Sequence, residues 1–563
     1  MRQWMVAAKK ADFYAIAEKF HVDPVVARII RNREVIGEKN IRIYLGGNLS
    51  DLSDPHQMKD MDRLVEILAQ KIRKQVHIRI IGDYDVDGVT SSHLFLTALR
   101  RVGAKVDVVI PHRIQDGYGL SLHLLQQAKE DGVNTILTCD NGIAAIDEIA
   151  WAKAQKMTVL VTDHHAVPFE EHEGRRTEKK SLADAVVNPH QQDCGYPYKE
   201  LCGAGVAWNV IRVLYENYDM DKREAEDLLD FVAMATVCDV MSLTGENRIL
   251  VKEGLKRIRH TKNIGLQALM QACNVQPENI SAYHFGYVLG PCVNATGRLD
   301  TARHALRLFE TGQETEAEEI ARDLVDLNQE RKELTLQGVE MAKKLCEEGG
   351  YENDPVLVLF LPDVHESIAG LIAGRIREMY NRPVFVLTRG EEGVKGSGRS
   401  TENYSMYENM CGCAELFTKF GGHPMAAGLS LPEENVEKFR RKINENCPLT
   451  VEEVCPDIHI DMAMPVGYAS TELVHQFALL EPFGKDNPSP LFADRNLSIS
   501  RMWLIGKNRN VLRMSVLSEY GQPVPVIFFG DVETLFAYFT EKFGQEEVEN
   551  ALHGSCLLYT SPS

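Results

Sequence analysis

Ile78-Arg79-Ile80-Ile81-Gly82-Asp83-Tyr84-Asp85-Val86-Asp87-Gly88 decides the reading of this chain. A short β-branched run ends abruptly in a turn carrying three aspartates. The pattern recurs downstream. Ile136–Cys139 runs into Asp140-Asn141-Gly142, and Val159–Thr162 runs into Asp163-His164-His165. His77–Ile81, Val106–Ile110, Thr135–Cys139 and Thr158–Thr162 read as strands. Helix-like segments such as Ser91–Leu99 and Ala144–Ala154 separate them. That alternation predicts an α/β fold with a parallel sheet.

In an open sheet of this kind, ligands bind in the crevice beyond the carboxyl ends of the strands. Asp83, Asp85, Asp87, Asp140, Asp163, His164 and His165 are therefore expected on one edge. Asp239, closing the apolar stretch Met234–Cys238, reads as a further acid at a strand end. Carboxylates packed this closely repel and raise one another's pKa, and divalent cations remove the conflict. Oxygen ligands mixed with imidazole suit Mn²⁺ or Mg²⁺, and a carboxylate shared by two ions makes a clamp for phosphate-ester hydrolysis. A lone acid loop is ordinarily a turn or a calcium loop. Here Leu94 stands where an EF-hand needs its closing Glu, and the acids recur at successive strand ends.

Composition bounds the alternatives. The 563 residues imply two to four domains. A hydrophobic content of 44% with 25% charged residues is ordinary for a globular protein. No apolar run is long enough to cross a bilayer, and Met1–Lys10 has no signal-peptide core. Twelve cysteines without a CxxC pair read as reduced thiols and point to the cytoplasm. The net charge of −19 argues against a general electrostatic grip on nucleic acid, though a local basic groove remains compatible with it.

Farther along, Glu314–Cys346 reads as one long connector helix. A second α/β segment holds Pro355–Leu361, a helix near Ile368–Tyr380, and Pro383–Leu387. Beyond Cys455 the helical signal fades, and Ser498–Ile505, Val511–Leu517 and Pro523–Phe529 read as a small β domain.

Asp85 with Asp87, Asp140, Asp163-His164-His165 and Asp239 resemble the four signature motifs of the DHH phosphoesterases. The resemblance implies that Asp85 and Asp140, helped by Asp83, hold one of two ions. Asp87, Asp140, His164 and Asp239 would hold the other, with Asp140 bridging. It makes His165, with Asp163, the catalytic group that contacts the scissile phosphate or acts as acid. Several relatives carry histidine where this chain has Ile81.

Other segments resemble the RecJ-type exonucleases within that superfamily. These are Pro111-His112-Arg113, Asp116–Leu120, Asn188-Pro189, Leu201–Ala207 and Asn294-Ala295-Thr296-Gly297-Arg298, with Cys292 where many members have Arg. Gly396–Ser400, Val364–Ser367 and Gly421–Gly428 resemble the DHH-associated domain, and Glu481–Gly484 with Asn487-Pro488 resembles the entry to an OB-like domain. By that resemblance Arg298, Asn294, Ser397, Arg399, Gly422 and His423 contact DNA phosphates. Trp503, Lys507, Arg509 and Arg513 are candidate single-strand contacts.

The implied architecture is a lead-in over 1–50, a DHH catalytic domain over 51–260, a helical connector over 261–349, an associated domain over 350–455 and an OB-like domain over 456–563. The implied activity is 5′-to-3′ hydrolysis of single-stranded DNA in repair and recombination. A helicase and a single-strand-binding protein are the implied partners. A nanoRNA or cyclic-dinucleotide phosphodiesterase is the enzyme alternative, separated by a substrate panel. A non-catalytic scaffold at replication forks is the alternative of another class, and it would have lost metal ligands that stand here. Cys556–Ser563 reads like one frame of a sequencing adapter, so a truncated last domain is expected; a natural β-prone strand is the alternative.

Overall fold

Five short strands form the parallel sheet that the apolar runs predict. They are β1 (Ile78–Ile81), β2 (Val106–Val109), β3 (Thr135–Cys139), β4 (Thr158–Thr162) and β5 (Ala185–Val187), in the order β2-β1-β3-β4-β5. β1 and β3 are buried along their whole length, as a parallel sheet covered on both faces requires. Ile81 pairs with Val109 on one side and Thr138 on the other, and Cys139 pairs with Thr162. This register aligns the strand ends. The chain builds β2 to one side of β1 and then crosses to β3 on the other. The crevice beyond β1 and β3 is therefore a topological switch point. The structure, a computed structural model, describes the chain apart from residues 1–3, 114–115, 118, 173–174, 352, 391–392, 451–457, 507–508, 554–557 and 560–563.

Helices α1 (Val86–Arg101), α2 (Gly203–Asn217) and α3 (Leu229–Cys238) cover one face. Phe95, Leu99, Trp208, Val210, Phe231 and Val232 pack there against Leu137 and Leu160. Each such side chain contributes about 1.5–3 kcal/mol by leaving water. The other face buries Ile136, Val159 and Val161 under Leu125, Ile149 and Ala152. Asp239 is the C-cap of α3, so the fourth acid sits at a helix end and not at a strand end. Its apolar run, fully buried from Leu229 to Thr236, has no period that separates helix from strand.

Helices α4 (Ile264–Ala272) and α5 (Gly290–Leu299) lead into α6 (Glu314–Glu348), which extends the expected connector to 35 residues. Its first half buries Ala317, Ile320, Ala321 and Leu324 in the core of the parallel sheet. Its second half buries Val339, Ala342 and Cys346 in the next core. That core belongs to a five-stranded sheet of β6 (Leu357–Phe360), β7 (Val384–Gly390), β8 (Gly393–Arg399), β9 (Lys419–His423) and β10 (Ala426–Leu431), in the order β9-β10-β8-β7-β6. Helix α7 (Ala369–Tyr380) packs on it.

The chain divides into two compact units. One comprises Gly47–Pro456 with Pro482–Asn487, the other Met1–Gly46, Asp457–Glu481 and Pro488–Ser563. The N-terminal helices therefore fold with the C-terminal part. Trp4–Val6 pairs in parallel with Ile458–Ile460, and Arg33 grips Asp461 through two hydrogen bonds of 2.7 and 3.0 Å. In that unit β11 (Ser498–Ile505), β12 (Val511–Leu517) and β13 (Pro523–Phe528) are the expected strands and pair antiparallel, with Leu558–Tyr559 on the outer edge of β11. The rest of the 556–563 segment lies outside the described residues. Two helices that the sequence reading did not anticipate, Val532–Phe543 and Gln545–His553, follow the strands, and Val532, Phe539, Val548 and Ala551 join their core. The Pro482–Asn487 segment, read as the entry to the last domain, packs on the larger unit: the Leu243 N–H donates to the Lys485 carbonyl at 2.9 Å.

Candidate active site

The acid turn after β1 is held from three sides. The Asp85 carboxylate caps α1 by accepting from Gly88 N–H at 3.0 Å. Asn294 on α5 accepts from Val86 N–H at 3.2 Å. Gly297, one turn later on α5, lies so close that a Cβ there would fall 2.4 Å from the Tyr84 carbonyl oxygen. The Asn294–Arg298 motif therefore straps the acid loop in place, a role its sequence reading as a phosphate contact did not include.

Asp140 follows β3 in the left-handed region, with φ of 61°, which costs an aspartate little but fixes its direction. Asn141 locks that turn by donating to the carbonyls of Ile81 and Cys139. Asp87 accepts from Gly203 N–H at 2.6 Å and Ala204 N–H at 2.7 Å, the open donors at the head of α2. Asp163 accepts from Ile143 N–H at 2.9 Å with one oxygen, and from His164 N–H at 2.7 Å and His165 N–H at 3.0 Å with the other. His165 Nδ1 also meets that second oxygen at 2.8 Å. Asp163 thus orients the loop and the imidazole.

These anchors bring the expected ligands together. His164 Nε2 lies 3.1 Å from Asp140, 3.5 Å from Asp239 and 3.7 Å from Asp87. Among the described residues three overlapping groups of ligand atoms have the spacing of a metal shell: Asp87, His164 and Asp239; Asp140, His164 and His165; and Asp83, Asp85 and Asp140. Burial and then the neighbouring acids push Asp83, Asp85, Asp140 and Asp239 above the usual carboxylate range. Among the described residues, the buried Asp83 Oδ1 accepts no hydrogen bond, and Asp140 Oδ1 makes none of good geometry although His164 Nε2 lies 3.1 Å away. Buried, mutually repelling oxygens short of hydrogen bonds are the ligand set that divalent cations satisfy. Burial pushes the His164 imidazole down, which keeps it neutral and able to ligate. For Asp163 burial opposes ionisation, but the hydrogen bond and charge of His165 prevail and hold it below its usual range. Burial disfavours the charged form of His165 too, yet Asp163, Asp239 and Asp87 raise it to about 9.

Beside the acids, between the parallel sheet and the β6–β10 sheet, lies a cleft of about 490 Å³ walled by Tyr84, Arg113, Arg298, Ser397 and Arg399. Arg298 donates to the Ser367 carbonyl at 2.7 Å, and Ser367 is itself held 2.7 Å from His365 Nδ1. Burial, then Arg113, Arg331 and Arg399, lower the Arg298 guanidinium to about 10, still cationic at neutral pH. Burial, then Arg113 and Arg377, lower Arg399. A half-enclosed group of like charges is a site for an anion. Lys395 and Lys419 also line it, and the sequence reading missed both. Alternation along β8 and β9 was their only signal. Gly422 and His423 are exposed at the end of the β9–β10 hairpin and do not line this cleft. Tyr118 and Lys507 lie outside the described residues. In the other unit Trp503 pairs across the sheet with Arg513, whose guanidinium sits 5.9 Å from the indole centroid.

A switch-point crevice lined by acids and imidazole, next to a cationic cleft, defines a metal-dependent phosphoesterase of the DHH class, and the DHH family N-terminal domain model matches residues 77–236. The DHHA1 domain matches 353–447 and the RecJ OB domain 460–545. The single-stranded-DNA-specific exonuclease RecJ of Haemophilus influenzae is 34% identical, covering 88% of each chain. That of Escherichia coli is 33% identical over 89% of this chain and 88% of its own. The Bacillus subtilis RecJ is 33% identical over 90% of this chain, which spans 63% of that protein's length. The Mn²⁺ complex of RecJ from Thermus thermophilus superimposes with a TM-score of 0.77 at 27% identity, covering 92% of this chain and 74% of that one. The chain belongs to the RecJ family.

Proposed function

We propose that this protein is a divalent-metal-dependent exonuclease that hydrolyses single-stranded DNA from the 5′ end. The observation that carries the reading is the overlapping ligand groups at the switch point, with Tyr84 of the same acid turn lining a cationic cleft. RecJ relatives are named for single-stranded DNA, and RecJ structures with Mn²⁺ and with Mg²⁺ are known. Asp83, Asp85 and Asp140 would hold one ion; Asp87, His164 and Asp239, with Asp140, the other. Bound there, divalent ions supply Lewis acidity toward a phosphate oxygen and make water more acidic.

The protein's own groups do the rest. Arg298 and Arg399 bind backbone phosphates in the cleft and set the register of the strand. Asp163 fixes the His165 ring through Nδ1, and the imidazole would donate to the reacting phosphate or to the leaving oxygen. Ser397 would be a supporting contact in the cleft wall, Asn294 would act through the acid loop that it holds at Val86, and His423 would meet the strand from the exposed end of the β9–β10 hairpin. Trp503 and Arg513 offer a stacking face and a charge for single-stranded DNA. Family membership supports a repair and recombination role, and we infer with it action in the cytoplasm and work alongside a helicase and a single-strand-binding protein.

The test is digestion of end-labelled single- and double-stranded DNA with Mn²⁺ or Mg²⁺. Mononucleotide release from the 5′ label on single strands alone is the expected result. Preferential cleavage of dinucleotides would favour a small-substrate phosphodiesterase.

A further inference from the structure

We propose that Cys273 and Cys292 form a redox-modifiable dithiol that closes to an intramolecular disulfide and disturbs the strap holding the acid loop. Their sulfur atoms lie 3.8 Å apart. Cys273 caps the C-terminal end of α4 and is partly exposed, while Cys292 is buried near the start of α5. Reaching the roughly 2.05 Å of a disulfide needs side-chain rotation and a small approach of the two segments. The pair has the asymmetry of an attacking and a resolving thiol. Cys273 is reachable and its thiol is lowered by the hydrogen bond with Cys292, against burial, with help from the Lys332 charge. Cys292 is held by the Val288 carbonyl at 3.3 Å and by the Asn328 side-chain amide at 3.4 Å.

The consequence follows from what α5 carries. Asn294 binds Val86 N–H, Gly297 packs on the Tyr84 carbonyl, and Arg298 enters the cleft. A bond at Cys292 would break its contacts to Val288 and Asn328 and draw the head of α5 toward α4. The motif that seats Asp83–Asp87 moves with it.

The chemistry closes with a hydroperoxide as oxidant. The Cys273 thiolate attacks the terminal oxygen, the O–O bond breaks, and an alcohol (water from hydrogen peroxide) leaves with a sulfenic acid on Cys273. The Cys292 sulfur then attacks the Cys273 sulfur, the S–O bond breaks, and the departing hydroxide takes the Cys292 proton as water. Two thiols lose two electrons, and one hydroperoxide is reduced. A dithiol reductant reverses the bond by exchange.

The test uses the full chain, oxidised with hydrogen peroxide in the absence of metal, quenched, alkylated and mapped by peptide mass spectrometry without reduction. A Cys273–Cys292 linked peptide is expected. Digestion of single-stranded DNA should fall about tenfold, as for small misplacement of reacting groups, and return with dithiothreitol. Cys273→Ser, and Cys273→Ala as a second variant, should keep the untreated rate and resist the oxidant. Absence of the linked peptide overturns the site. A linked peptide without loss of activity, or equal loss in both variants, overturns the coupling to the acid loop. Because the peptide map is read without any nuclease assay, its failure is separable from failure of the exonuclease reading.

Discussion

Gly203 lies directly against Asp140: a Cβ on the glycine would fall 2.6 Å from the aspartate Cβ and 2.9 Å from its Oδ1. The same residue donates its N–H to Asp87. One backbone position therefore sets the separation between Asp140, common to two of the ligand groups, and Asp87 of the third. Gly203→Ala is expected to leave the helical content by circular dichroism unchanged and to reduce Mn²⁺-dependent hydrolysis about a hundredfold, since the methyl must displace Asp140. A variant with parental kcat/KM would show that the site tolerates that displacement.

Asp163 is expected to act through His165. Its two oxygens are used by three backbone N–H groups and one imidazole. Asp163→Asn swaps an oxygen for an amide at that crowded point and inverts the hydrogen bond that orients the ring. The expected outcome is a kcat loss of about a thousandfold or more with KM for DNA little changed, the signature of a lost orienting carboxylate. Equal loss in KM and kcat would reassign Asp163 to substrate binding.

The orphaned oxygens of Asp83 and Asp140 predict that divalent ions stabilise the fold. Melting temperature should rise on adding Mn²⁺ to protein freed of metal with EDTA, and continue to rise with concentration, as ligand linkage requires. In Asp140→Ala that rise should be largely lost, together with nuclease activity. Melting curves of the parent that are indifferent to Mn²⁺ would argue against both shells.

The balance of what the sequence reveals follows from range. The strand-end acids are legible because a β-branched run breaking into Asp is a local signal, and β3 and β4 keep their expected bounds. Asp239 falls in the expected neighbourhood but at a helix end, because a wholly buried helix has no polar face to show its period. The anchors of the ligands were not legible. Asp87 meets Gly203 and Ala204 more than a hundred residues away, and only the glycine-rich head of α2 hinted at it. The motif at Asn294 points to a phosphate contact and gives no sign that its amide oxygen also holds Val86 N–H. The pairing of Trp4–Val6 with Ile458–Ile460 joins the two ends of the chain, beyond any local pattern.

Arg399 and Arg298 should differ in what their loss does. Arg399 donates to its own neighbours, Ser397 Oγ at 3.2 Å and the Gly398 carbonyl at 2.7 Å, so Arg399→Ala removes mainly a phosphate-binding charge. Its expected effect is a raised KM for single-stranded DNA and a dependence of log affinity on log salt that is shallower by about 0.7, the value for one single-strand phosphate contact. Arg298→Ala also releases the Ser367 carbonyl and should lower thermal stability as well. Filter binding with catalytically dead protein across a salt series separates the two.

Asp230 offers a pH test away from the metal ligands. It is buried at the start of α3, where it accepts from Thr261 Oγ1 at 2.6 Å, and burial raises its carboxyl to about 6. The folded state then holds the proton more tightly than the unfolded chain, whose aspartate titrates near 3.9. The stabilising contribution is complete below that unfolded value and is lost as pH rises through about 6, on the order of 3 kcal/mol in all. Asp230→Asn cannot ionise, and its amide can still donate to Thr261 Oγ1 and accept from Phe231 N–H, which the aspartate now binds at 2.8 Å. The variant should therefore melt higher than the parent at pH 8, with the gap narrowing toward pH 5. Parallel melting profiles across that range would place the Asp230 pKa at its ordinary value and remove burial as the governing effect.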